Sequence, residues 1–94
     1  MDVIKSNELF TLVDVTESYV LEGQADVRID GSFNLILDFR TPEGEFLGSG
    51  SYNKYSENAH VHYSISCSEP NFDVVSGYVN KYISESINYF KNNN

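Results

Sequence analysis

Two histidines separated by a single residue, His60 and His62, are the pattern in this sequence that most suggests chemistry. Alternate residues of a β-strand point to the same face, so the two imidazoles would lie side by side, as they do in some sheet-based metal sites. Serines are their expected neighbours, however, and no carboxylate or thiolate is available as a third ligand. We therefore expect a solvent-facing pair, with no metal and no cofactor.

The serines and the lone cysteine do not predict a nucleophilic site. A serine or cysteine nucleophile needs a base within hydrogen-bond reach and a third group that orients the base. Ser51 is expected beside His60 and Ser49 beside His62, but positions in the middle of an exposed strand provide no turn for an oxyanion hole. Cys67 occupies one of the alternate strand positions that are expected to face the core, so we interpret it as a small buried apolar residue. We expect no enzyme activity.

The Gly-Ser repeat at residues 48–51 does not predict a phosphate-binding loop. Such loops open into a helix and usually carry a lysine, whereas this stretch alternates within a strand. Direct nucleic-acid binding is also disfavoured, because the six Lys and Arg residues are scattered and the net charge of -8 repels phosphate.

Acidic residues are the unusual feature of the chain. Residues 1–50 hold ten acids and three bases, so they carry -7 of the total charge of -8. Strand parity and turn positions gather six of these acids on or beside one solvent-exposed face of the expected sheet: Glu22, Asp26, Asp30, Asp38, Glu43 and Glu45. Such a face would attract a basic partner protein. The alternative is a solvated face whose charges serve solubility and discourage aggregation between sheets.

The elements that would position these residues alternate with the period of β-strands up to residue 67. Asp30-Gly31 marks a hairpin turn between apolar runs at 24–30 and 33–39, and the turn residues at 41–44 precede a third strand. A fourth strand covers 59–67. Alternation of large and small side chains favours a register with Phe39 opposite Phe46 and Tyr52 opposite Ala59. This register places the glycines at 48 and 50 in a shallow trough in the middle of the sheet.

A helix is predicted from about residue 70 to residue 91. Pro70 suits its first turn, and Asp73 near the start and Lys91 near the end complement the helix dipole. Helical periodicity forms one mainly apolar stripe, with Tyr82 and Ile87 on its flanks: Phe72, Val75, Val79, Ile83, Ser86 and Phe90. This stripe is expected to lie across the glycine trough.

The first 22 residues are the most ambiguous, because they could form a strand or a short helix that begins at Ser6. An odd-numbered apolar run from Val13 to Ile29 favours strands, either one long bent strand or a hairpin that turns at Glu17-Ser18. The predicted fold is therefore α+β: a four- to five-stranded antiparallel β-meander packed on one face by a single C-terminal α-helix. It forms one domain over residues 1–91, followed by a frayed tail at 92–94.

Three functions are compatible with these features. The leading hypothesis is a small, acidic, non-enzymatic interaction protein of the inhibitor or immunity type, or a nucleic-acid mimic, that binds a partner protein through the acidic face. The alternative is a self-associating structural or accessory subunit, a homodimer formed through an edge strand or the helix. A small metal-dependent protein that uses His60 and His62 is the third.

No apolar run is long enough for a membrane span and no secretion signal is evident, so we expect a cytoplasmic protein without a membrane partner.

Overall fold

The strands of this protein lie in the sheet in the same order as in the chain. The computed structural model describes residues 1–6, 9–56 and 59–92, and within them six strands form one antiparallel sheet. The strands are β1 (Asp2–Ser6), β2 (Leu9–Val15), β3 (Val20–Val27), β4 (Phe33–Arg40), β5 (Phe46–Lys54) and β6 (Val61–Cys67). A 3₁₀ turn at Glu69–Asn71 leads into one helix, α1 (Phe72–Asn92). The α+β meander with a C-terminal helix is confirmed, but the prediction of four to five strands was too low.

The additional strand comes from the N-terminal residues, which form two strands instead of one. β1 pairs with β2, and β2 turns back into β3 at residues 16–19, so the hairpin alternative with its turn at Glu17-Ser18 is confirmed. Thr16 stabilises this turn, because its Oγ1 accepts hydrogen bonds from the backbone N–H groups of Ser18 at 3.2 Å and Tyr19 at 3.0 Å.

The face that β2 buries differs from the odd-numbered pattern. Leu12 is fully buried, whereas Val15 is 71% exposed. The four-residue turn at 16–19 explains the difference, because it sets Val15 opposite Val20. Residues directly opposite each other share a face, so that face carries even-numbered residues in one strand and odd-numbered residues in the other. Even-numbered residues of β2 and odd-numbered residues of β3, such as Leu21, face the core.

Glycine marks the next two turns, as predicted. Gly31 between β3 and β4 has a φ of 88°, and Gly44 between β4 and β5 has a φ of 99°. Both values lie in the left-handed region, which a residue without a Cβ adopts at little cost.

The predicted registers of β5 and β6 were wrong, although most of their side chains lie on the predicted faces. Phe39 pairs with Gly48 instead of Phe46, a difference of two residues, one of which comes from a bulge between Phe39 and Arg40. Tyr52 pairs with Tyr63 instead of Ala59, a shift of four residues. Even-numbered shifts leave the side chains from Gly48 onward on their expected side, since the side-chain period of a strand is two. Phe46 and Leu47 were predicted on the wrong faces, because the bulge sets Phe46 opposite Arg40 on the uncovered face, where it is 53% exposed, and Leu47 packs against the core.

The helix crosses the covered face of the sheet over two glycines, which confirms the predicted trough. A Cβ built on Gly50 would lie 2.6 Å from both methyl carbons of Val79, and one on Gly48 would lie 2.9 Å from a methyl carbon of Val75. These distances are too short for a real contact, so the close approach of the helix requires residues without side chains.

The buried stripe of α1 is rotated slightly from the predicted one. Val75, Val79, Ile83, Ser86 and Phe90 are buried as expected, but Phe72 is 53% exposed and Tyr82 is fully buried. Tyr82 can be buried because its hydroxyl finds polar partners beneath the helix.

The helix extends to Asn92, and residues 93–94 of the predicted tail lie outside the described residues. No helix in the described part of the chain is long and apolar enough to cross a membrane.

Candidate functional site

Two carboxylates meet on the face of the sheet that α1 leaves uncovered. Glu22 in β3 and Asp38 in β4 are direct cross-strand partners. Side chains in such positions have Cβ atoms about 5 Å apart, and like charges there destabilise a sheet. No described residue forms a salt bridge with either carboxylate. Arg40, two residues along β4, instead donates to the Gly44 carbonyl at 3.4 Å and lies 5.5 Å from the centre of the Phe46 ring.

The sheet surface beside this pair forms a shallow depression of about 360 Å³. Glu22 and Asp38 supply its acidic part, while Val13 and Ile36 supply its apolar part. Ile36 is 53% exposed at the centre of the uncovered face. Lysine and arginine side chains pack their methylene groups on apolar surface while the charged head stays at a polar edge. The depression therefore has the chemistry to receive one such side chain.

Two of the other predicted acids already have partners within the protein. Asp26, also on the uncovered face, has its Oδ2 3.2 Å from a guanidinium nitrogen of Arg28. Asp30 lies in the turn between β3 and β4, where its Oδ1 accepts a hydrogen bond from the backbone N–H of Ser32 at 2.9 Å. This hydrogen bond lowers the pKa of the Asp30 carboxyl below its usual value.

The remaining two acids, Glu43 and Glu45, are exposed in the turn between β4 and β5. They lie at the opposite end of β4 from Asp30. The eight residues of β4 separate the two turns, which corresponds to about 24 Å at the rise of an antiparallel strand. The structure thus brings Glu22 and Asp38 together and places the other four predicted residues farther away.

The uncovered face changes in character from one edge of the sheet to the other. The strands β1 and β2 expose aliphatic side chains: Ile4, Leu9 and Val15. Acids occupy the middle of the face, and serines follow on β5 and β6, where the hydroxyls of Ser51 and Ser64 lie 2.6 Å apart. The acidic pair therefore lies between an apolar zone and a neutral polar zone.

The histidines do not have the neighbours that the sequence suggested. His60 precedes β6, and His62 within it pairs with Asn53, because the register of β6 differs by four residues from the predicted one. The ring of His62 lies 5.6 Å from that of Tyr55. The serines at 49 and 51 pair with other serines. No group of three or more His, Cys, Asp or Glu side chains that could hold a metal occurs among the described residues.

A polar cluster beneath the helix was missed at the level of sequence. The buried Tyr82 hydroxyl donates to the Asp14 carboxylate and lies 2.5 Å from the Tyr19 hydroxyl, which in turn accepts a hydrogen bond from Lys81 Nζ at 3.5 Å. Burial raises the pKa of Tyr82 well above its usual value, and the bonds to Asp14 and Tyr19 raise it further. The odd-numbered pattern predicted for β2 places Asp14 on the uncovered face, so the alternation gave no signal for this cluster. The cluster links α1 to β2 and to the turn between β2 and β3.

The chain matches no protein-family model, no curated protein and no solved structure with which it was compared.

Proposed function

We propose that this protein binds a basic partner protein through the uncovered sheet face and receives a lysine or arginine of that partner between Glu22 and Asp38. The observation that carries the proposal is the direct cross-strand pairing of these two acids without a salt bridge from any described residue. Like charges in this arrangement oppose folding. A cation supplied by a partner would relieve the repulsion and form charge-assisted hydrogen bonds.

The depression beside Glu22 and Asp38 is where the partner side chain would bind. A partner side chain would lay its methylene groups over Ile36 and bring its charge to the two carboxylates. The net charge of -8 would speed the encounter with a basic surface, and added salt would slow it. A small acidic protein that covers such a surface acts by occlusion, in the manner of an inhibitor or an immunity factor.

Affinity capture from the source cell at low and high salt tests this function. The informative variant is the triple charge reversal E22K/D26K/D38K. Its matched control is E69K/D73K/E85K, which reverses three acids outside the sheet. Each triple variant replaces three negative charges with three positive ones and so changes the net charge from -8 to -2.

Wild type and control should retain the same basic protein at low salt and release most of it at high salt, while the sheet variant should retain none. Equal retention by the sheet variant would contradict the proposal. Loss of the protein from both variants would contradict it as well, because it would assign the attraction to net charge instead of this face.

A further inference from the structure

A groove at the C-terminal end of α1 is lined by several of the basic residues of this acidic protein. Arg28, Lys54 and Lys91 line it, three of the six Lys and Arg residues in the chain. The groove has a volume of about 660 Å³, which is within the usual range of small-molecule sites, roughly 300–1,000 Å³. It opens on the covered side of the sheet, and the acidic pair lies on the other side.

Lys54 has an unusual position in the sheet. It is the direct cross-strand partner of Phe33, and it has the inward parity of Tyr52. Charged residues are rare on the core face of a sheet unless they are paired. Lys54 is half-buried and forms no salt bridge with a described residue. Lys54 therefore adds a positive charge to the lining of the groove.

The floor of the groove is aromatic. The Phe33 ring lies 5.9 Å from the Tyr52 ring and 5.7 Å from the Phe90 ring, and Ile87 completes the apolar surface. These rings pack edge to face, an arrangement that aromatic pairs favour.

The charge at the rim comes mainly from the two lysines. Arg28 contributes less, because its guanidinium lies 3.2 Å from the Asp26 carboxylate. Lys91 is exposed in the last turn of α1. An apolar floor below two ammonium groups is complementary to a molecule with a flat apolar body and an anionic head.

We propose that this groove binds an organic anion with a ring-sized apolar body, of the aromatic carboxylate class. The body would lie on Phe33 and Tyr52, and the carboxylate would accept hydrogen bonds from Lys54 and Lys91. This site is independent of the proposed protein-binding face, since it uses other residues on the opposite side of the sheet.

Titration of ¹⁵N-labelled protein with 2-naphthoate tests the proposal, with 2-naphthamide as a neutral probe that has the same ring system. Naphthoate should shift the amide resonances around residues 31–33, 52–54 and 87–91 and should bind more tightly than naphthamide. The variant K54Q/K91Q should weaken naphthoate binding about tenfold and leave naphthamide binding unchanged.

The control R40Q/K81Q removes two cations outside the groove and should keep the wild-type affinity for naphthoate within about twofold. The proposal is overturned if naphthoate does not bind up to about 10 mM, or if its shifts map outside the groove. Equal affinity of wild type for naphthoate and naphthamide would also overturn it, whether or not the lysine variant folds.

Discussion

Glu22 and Asp38 face each other across β3 and β4 on the side of the sheet that α1 does not cover. On the covered side, the adjacent pair Leu21 and Phe39 is fully buried. A slip of one residue between the strands would separate the two acids, but it would also turn the apolar side chains out of the core. Packing on one face of the sheet therefore maintains the electrostatic repulsion on the other.

Neutralising one member of this pair should stabilise the free protein. We expect E22Q to raise the free energy of unfolding by about 0.2–1 kcal/mol, because a direct cross-strand repulsion is removed. Urea denaturation at neutral pH measures this. The control E43Q removes a charge in the exposed turn and should change stability by less than E22Q does. Equal effects of the two substitutions would attribute the gain to net charge and contradict a specific repulsion.

The glycine at position 50 should be essential for helix packing. G50A should lower the free energy of unfolding by about 1–3 kcal/mol, because the new Cβ would meet the Val79 methyl groups at 2.6 Å. G77A is the matched control: nothing lies within 4 Å of a Cβ at this helical position, so it should stabilise the protein by up to about 1 kcal/mol.

A double variant separates overpacking from other effects of G50A. In G50A/V79A the colliding methyl groups are gone, so the loss of stability should be smaller than the sum of the two single losses. Additive losses in urea denaturation would show that the helix does not rest on Gly50 as the structure has it.

Alkaline pH should weaken the protein through Tyr82. In the unfolded chain its phenol titrates near pH 10.0, whereas burial and the hydrogen bonds to Asp14 and Tyr19 raise its pKa in the folded protein. The folded state therefore keeps the proton when the unfolded state releases it. This contribution is fully present below pH 10 and is lost as the pH rises further, at about 1.4 kcal/mol per pH unit.

The variant Y82F isolates this contribution. It should lower stability at neutral pH by about 1–3 kcal/mol, because Asp14 loses its donor. The difference in stability between wild type and Y82F should stay constant from about pH 8 to pH 9 and shrink above about pH 10. A difference that is unchanged at pH 11 would contradict the raised pKa of the buried phenol.

The free protein should be a monomer. Self-association through the uncovered face would bring Glu22 and Asp38 against their own copies, and a net charge of -8 opposes any contact between two chains. Light scattering at micromolar concentrations should therefore give a mass of 10.6 kDa. Twice that mass would favour the alternative of a self-associating subunit.

Residue periodicity predicts much of this fold because each element buries only one face. Alternation up to residue 67 identifies the strands from 24 onward, and helical spacing identifies α1 together with most of its buried stripe. Periodicity does not fix the pairing of strands. The four-residue turn after Val15 reverses the parity of β2, and the bulge beside Arg40 shifts β5, and neither feature leaves a mark in the alternation.

The candidate sites were predictable only in part, for the same reason. Parity places Glu22 and Asp38 on one face, but their direct opposition depends on the length of the turn between β3 and β4. The alternation of β5 places Lys54 on the same face as Tyr52, which the sequence alone shows. That Lys91 lines the same groove, however, depends on where the helix ends above the sheet, which the spacing of residues within each element does not determine.

The affinity of the protein for its captured basic partner, measured by calorimetry for wild type and E22Q/D38N, tests the central claim most directly. The double variant keeps the size of both side chains and removes both charges, so it should fold more stably. It should also bind the partner at least about tenfold more weakly, with a reduced dependence on salt. The control D73N/E85Q, which removes two charges from α1, should bind like wild type. Unchanged affinity of E22Q/D38N would contradict the claim that this acidic pair receives a cation of the partner.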